Sequence, residues 1–186
     1  MSKIHVGIIV GSLRKDSFSK KVAQVVASFL PDNYEATFVD ISNLPMFNQD
    51  FDDEGTTPKE WIDFREEIKN LDTYIFVTPE YNRSVPPVLK NALDIASRPY
   101  GQNVWTGKPG AVISVSPGIT AGFGANHHLR QTLSFLNVYT MQQPEAYLSN
   151  IIESLDNEGN LTKEHTLEYL KSITAAYVDW VSKFQK

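Results

Sequence analysis

The sequence predicts an α/β fold in which a five-stranded parallel sheet carries helices on both faces. Three observations predict it. Short, nearly continuous apolar runs rich in β-branched residues recur along the chain, as strands buried on both faces require. Amphipathic stretches of helical period separate them. There is no internal repeat and no linker-like segment, so residues 1–186 read as a single domain.

The elements follow in order. "IHVGIIVG" (4–11) is the first strand. Residues 17–30 set Phe18, Val22, Val25, Val26, Phe29 and Leu30 on one helical stripe, and Pro31 follows its end. "YEATFVDI" (34–41) is the second strand. The polar stretch 43–57 reads as a loop, with Asp52, Asp53 and Glu54 forming a solvated acidic face. Thr57 is expected to cap the next helix, with Pro58 at its first position and Glu60 completing a capping box. Trp61, Phe64, Ile68 and Leu71 supply the buried side of that helix. "TYIFVTP" (73–79) is the third strand, and residues 86–97 form the helix after it, closed by Pro99. "GAVISVS" (110–116) is the fourth strand, followed by a helix around 123–136. The fifth strand begins in "NVYTMQ" (137–142). A last helix over 163–184 turns Leu167, Leu170, Ile173, Tyr177, Val181 and Phe184 to one side. Right-handed crossovers leave few ways to wind such a sheet.

Composition removes several function classes. The 17 Lys and Arg against 22 Asp and Glu give a net charge of −5, which argues against a nucleic-acid footprint. With no cysteine, disulfides, thiolate catalysis and zinc–thiolate sites are excluded, as are the phosphatases that need a cysteine in their phosphate loop. The N-terminal apolar run is too short to span a membrane and lacks the layout of a signal peptide, so a cytoplasmic protein with no membrane partner is expected.

In an open parallel sheet, ligands bind beyond the carboxyl ends of the strands, where the winding reverses, so three loops carry the interest. The first, "GSLRKDSFSKK" (11–21), has Gly11 for a sharp turn, hydroxyls at Ser12, Ser17 and Ser19, the forked cation of Arg14 and a helix start near Ser17. These describe an anion pocket suited to a phosphate, or simply a capped helix start. It has neither the spacing of a triphosphate-binding loop nor the dinucleotide glycine fingerprint, so Asp40 at the end of the second strand reads as solvated rather than ribose-binding. The second, "PEYNRSVPP" (79–87), is braced by proline and irregular. Its backbone could read the polar edge of a flat heterocycle with Tyr81 beside it, or Tyr81 could pack on a neighbouring helix or subunit. The third, 114–131, is a glycine-rich turn open to a ligand. His127 and His128 point about 100° apart on a helix, so they cannot both ligate one ion, and no metal site is expected. No catalytic triad or nucleophile elbow is present.

"GSLRKDSFSKKVA", "PEYNRSVPPVLKNALDIASRPYG" and "ISVSPG…ANHHLRQ" together resemble the NADPH-dependent FMN reductase family, a flavodoxin-like group that includes bacterial chromate, quinone and azo-dye reductases. The resemblance covers roughly residues 4 to 145. It implies a flavodoxin-like three-layer fold with strand order 2-1-3-4-5. It also implies bound FMN, with the phosphate on Ser12, Arg14, Ser17 and Ser19 and Phe18 beside it. The isoalloxazine edge would meet the backbone of Pro79, Glu80, Tyr81, Asn82 and Arg83, with Ser116 near the ring. Ser19 departs from the family's usual asparagine. The implied reaction passes hydride from NADPH or NADH to the flavin, then electrons to a flavin, quinone, azo or metal-oxyanion acceptor, in ping-pong order with no side-chain acid or base. A homodimer or homotetramer is implied as well, for which Tyr100 and Trp105 are aromatic interface candidates. An electron carrier without nicotinamide activity is the alternative, disfavoured by Arg14 and the modest charge. A third is a cofactor-free signalling domain of the same fold.

Overall fold

A computed structural model of the chain describes residues 3–185. Strands β1 (Ile4–Val10), β2 (Tyr34–Val39), β3 (Thr73–Thr78) and β4 (Pro109–Val115) pair in parallel in the order β2-β1-β3-β4. The β-branched runs lie where both faces are covered: every residue of β3 and β4 is buried. Edge strand β2 is half exposed.

The fifth position of the sheet is shared. The short strand β5 (Tyr139–Thr140) pairs with the start of β4, and β6 (Ala146–Leu148) pairs with its end, both in parallel. Pro144 stands between them, and a proline cannot donate to the ladder. The expected order 2-1-3-4-5 therefore holds, with six strands in place of five.

Helices α1 (Phe18–Ser28) and α6 (Glu164–Ser182) cover one face; α3 (Lys59–Lys69), α4 (Pro87–Ala96) and α5 (Phe123–Phe135) cover the other. The α1 stripe buries Val22, Ala23 and Val26 against Ile8, Ile75 and Ile113. On the other face Trp61, Tyr74, Phe76 and Trp105 are fully buried. Trp105 meets Tyr74 edge-on at 5.1 Å between ring centres and donates its Nε1–H to Leu93 O at 3.1 Å, so it belongs to the core and to no subunit interface. Phe184 falls beyond α6, where its ring stacks on Tyr139 at 5.0 Å, half exposed.

Residues 43–57 are not a free loop. Asn91 on α4 accepts from Phe47 N at 2.8 Å and donates to Leu44 O and Pro45 O, fastening this strap to the helix. A short helix, α2 (Asp50–Asp53), follows. Asp52 is no solvated acid: its carboxylate takes two hydrogen bonds from Arg65, at 2.8 and 2.7 Å, with both side chains largely out of water. Thr57 donates to that same carboxylate rather than capping α3. Pro58, at φ −58° and ψ 141°, holds the N-cap position with no side-chain cap, and the helix opens one residue later than expected.

Candidate functional site

Strands β1, β3 and β4 are adjacent, so the loops at their carboxyl ends lie side by side. These are the three loops singled out in the sequence.

The first loop leaves β1 at Gly11, whose N–H donates to Val77 O at 2.9 Å. A Cβ at Gly11 would stand 3.1 Å from both Leu89 Cδ2 and Thr78 Oγ1, so any larger residue there would have to push these side chains back by a few tenths of an ångström. Ser17 is buried and caps α1, its Oγ accepting from Lys20 N at 3.2 Å. Among the described residues, no backbone N–H from Ser12 to Ser19 donates to an acceptor of the chain. The turn and the first turn of the helix thus present a run of unpaired donors with the positive end of the α1 dipole behind them. Arg14 is exposed, its guanidinium 5.8 Å from the Phe18 ring centre. Ser19 lies buried beneath the same turn, and Ser12 is half-buried at its start. The geometry caps the helix through Ser17 and leaves its first N–H groups open.

The second loop contains a tight two-residue hairpin, a feature not expected of an irregular segment. Tyr81 N donates to Ser84 O at 3.1 Å and Ser84 N to Tyr81 O at 3.0 Å, while Asn82 and Arg83 both take left-handed backbone angles, φ 51° and 66°. Pro86 then occupies the N-cap position of α4 with Pro87 at its first turn, so the hairpin is mounted directly on a helix start. The Glu80 side chain is committed: Oε2 accepts from Ala125 N at 3.0 Å, supplying the cap that Gly122 cannot give to α5. Its other oxygen lies 3.5 Å from Arg83 Nη1. Tyr81 is exposed.

The third loop, 116–122, is held at its root. Ser116 N donates to Leu148 O at 2.9 Å, and Ser116 Oγ accepts from Gly118 N at 3.0 Å. Ala121 and Gly122 are left-handed, at φ 53° and 73°, and swing the chain into α5. A Cβ on Gly124 would come within 2.7 Å of Arg83 O and 2.9 Å of Glu80 Oε2. The glycine-rich turn thus admits a neighbouring protein segment, the hairpin, to close quarters. Gly124 and the contact of Glu80 with Ala125 were not recognised from the sequence, since that contact joins residues 45 apart. The two histidines diverge as their spacing requires: His128 Nδ1 meets Ser84 Oγ at 3.0 Å and His127 Nε2 meets Tyr147 OH at 3.0 Å. Burial, with the Glu145 carboxylate beside it, pushes the Tyr147 phenol up to about 12. Asp40 is exposed and bound by Ser42, whose hydrogen bonds hold its carboxyl below the ordinary value.

Residues 4–153 match the NADPH-dependent FMN reductase family. The chain is 47% identical over 182 residues, 97% of both chains, to a quinone reductase of Pseudomonas putida. It is 44% identical over 178 residues, 96% of both, to a 2-hydroxy-1,4-benzoquinone reductase of a Burkholderia species. The solved structure of FerB, a flavoenzyme NAD(P)H:(acceptor) oxidoreductase of Paracoccus denitrificans, superposes with a TM-score of 0.89 at 38% identity, covering 97% of this chain and 98% of that one. A family match over most of the chain, and relatives this similar end to end, leave one assignment: the chain belongs to the NADPH-dependent FMN reductase family.

Proposed function

We propose that this NAD(P)H oxidoreductase of the FMN reductase family holds its flavin across the three loops, residues 1–186 acting as one domain, and delivers electrons to a quinone. The observation that carries the reading is the unpaired row of N–H groups from Ser12 to Ser19, set on the strand next to a rigid hairpin. It fits the mononucleotide. A phosphate takes several donors and a cation, and the row, the hydroxyls of Ser12, Ser17 and Ser19, and Arg14 offer both, with Phe18 under the guanidinium.

When bound, FMN supplies a ring that accepts hydride from the nicotinamide and returns electrons to the acceptor. The residues bind and orient it. Among the described residues the N–H groups of Glu80, Asn82 and Arg83 donate to nothing in the chain, so the Pro79–Arg83 backbone can meet the polar edge of a heterocycle and offset negative charge there. Ser116 borders the ring from the third loop. Glu80, spent on capping α5, serves as neither acid nor base.

The names of the Pseudomonas and Burkholderia relatives support a quinone acceptor. Among the described residues no helix is long and apolar enough to cross a membrane, and we place the protein in the cytoplasm. We also propose a homodimer or homotetramer. Tyr100 and Phe135, 91% and 89% exposed, flank one cavity of about 660 Å³ between α4 and α5, a surface suited to a second copy.

Anaerobic NADPH should bleach the flavin spectrum of the purified protein, and initial velocities against NADPH and quinone should give parallel lines. Arg14→Ala should weaken FMN binding about tenfold, the scale of one charge-assisted contact to phosphate. A flavin that stays yellow on mixing, or retention that Arg14→Ala leaves unchanged, would refute the reading.

A further inference from the structure

Arg83 stands where its residue type is unfavourable. Both central positions of the hairpin need left-handed backbone, which glycine and asparagine accept and arginine resists. Asn82 suits its place; Arg83, at φ 66°, does not. No packing compensates, because the Arg83 side chain is 76% exposed. Nor does its ion pair supply a structural reason. The partner Glu80 lies 3.5 Å away, and its charge is already met by the start of α5 through Ala125 N. A strained cation with little structural return, on the loop that borders the proposed flavin seat, points to a ligand.

The surroundings narrow its chemistry. Glu80 touches both the guanidinium and the first turn of α5, so the cation is drawn toward that helix start, where Arg83 O approaches Gly124. Beside Gly124, Phe123 presents a half-exposed ring backed by His127 at 4.2 Å between centres. Tyr81 and Ile119, also exposed, stand on the neighbouring loops. A flat aromatic molecule can lie on this apolar rim while an anionic substituent reaches the guanidinium, which is planar and forked for oxyanions.

Resting on the quinone reading above, we propose that Arg83 selects anionic planar acceptors, with ionised hydroxyquinones as the class. A 2-hydroxy-1,4-quinone is a vinylogous acid, charged at neutral pH, its charge shared between the oxygens on C2 and C4, with the C1 carbonyl oxygen adjacent to the first as a second acceptor for the guanidinium fork. Arg83 is here a specificity residue, its side chain acting on the acceptor while its backbone stays in the flavin clamp.

The test compares 2-hydroxy-1,4-benzoquinone with its uncharged 2-methoxy analogue on the flavin-loaded enzyme, as wild type, Arg83→Asn and Arg83→Lys. Asparagine suits the left-handed position, so that variant should fold at least as well as the parent. The ratio of kcat/KM for the hydroxyquinone to that for the methoxyquinone should fall about fivefold in Arg83→Asn, the size of a favourable rim ion pair. Arg83→Lys should keep most of it. The difference should shrink as salt is raised. Equilibrium binding of benzene-1,2,4-triol, neutral at this pH, should be equal in wild type and Arg83→Asn. A ratio unmoved by Arg83→Asn, or a change instead in the preference for NADPH over NADH, overturns the assignment. Wild-type enzyme that turns over neither quinone removes the quinone reading and this one with it; turnover of both with an unmoved ratio removes this one alone.

Discussion

Replacing Gly124 with alanine probes the joint between the second and third loops. The new Cβ would stand 2.7 Å from Arg83 O and 2.9 Å from Glu80 Oε2, where ordinary contact begins near 3.4 Å. The obstacle at 2.7 Å is a backbone carbonyl fixed by the hairpin, so it cannot rotate aside as a side-chain tip could. Relief requires α5 and the hairpin to part by about 0.7 Å, the difference between 3.4 and 2.7 Å. A movement of that size would stretch the Glu80–Ala125 contact, now 3.0 Å, beyond hydrogen-bond range. Losing a hydrogen bond to a charged group costs about 1.5–3 kcal/mol. Alanine in a helix returns roughly 0.5–1 kcal/mol. The balance is a loss of about 1–2 kcal/mol, and for a chain of this length that lowers Tm by about 5 °C. Calorimetry on the apoprotein measures the first effect. Fluorescence titration should show FMN binding weakened as well, because the clamp shifts with the hairpin. Gly118→Ala is the control, since its Cβ would meet only Ser116 Oγ at 3.5 Å. A Gly124→Ala protein that melts and binds FMN like wild type would refute the idea that Glu80 fixes the hairpin to α5.

Asp52→Asn should destabilise the protein by about 2–4 kcal/mol in urea titrations, because it leaves the largely buried Arg65 without its bidentate partner. The Arg65 hydrogen bonds hold the Asp52 carboxyl below its ordinary value. The stability they provide is therefore full above the ordinary carboxylate pKa and is lost as pH falls through the lowered folded value; the variant should lose less stability over that acid range. Asn91→Ala should free the strap over 44–47, leaving Phe47 N and Leu44 O unpaired, with a loss of about 2 kcal/mol and faster amide exchange there in mass-spectrometric measurements. Ser17→Ala should cost about 1 kcal/mol from the lost α1 cap, read by thermal unfolding without FMN.

The long elements were legible because burial imposes a period on them: β3 and β4 are buried throughout, and the α1 stripe follows helical spacing. What the sequence concealed was pairing at a distance. Asp52 reads as one of three acids in a polar stretch until Arg65, 13 residues on, is folded against it. The same carboxylate takes the hydroxyl of Thr57, which local spacing had assigned to a helix cap. Trp105 offered no local sign of whether it faced solvent or core. The two and three residues of β5 and β6 are too short for any period to show. At the site, loop positions followed from the strand order, whereas the hairpin was hidden because arginine does not announce a left-handed backbone.

The open donors between Ser12 and Ser19 have a practical corollary for handling the protein. Small oxyanions present the same face to them as a mononucleotide tail, so inorganic phosphate and sulfate should compete for the turn. Stability of the colourless apoprotein should climb with sulfate concentration by simple mass action, and preparations dialysed against phosphate should shed their yellow colour faster than those kept in chloride.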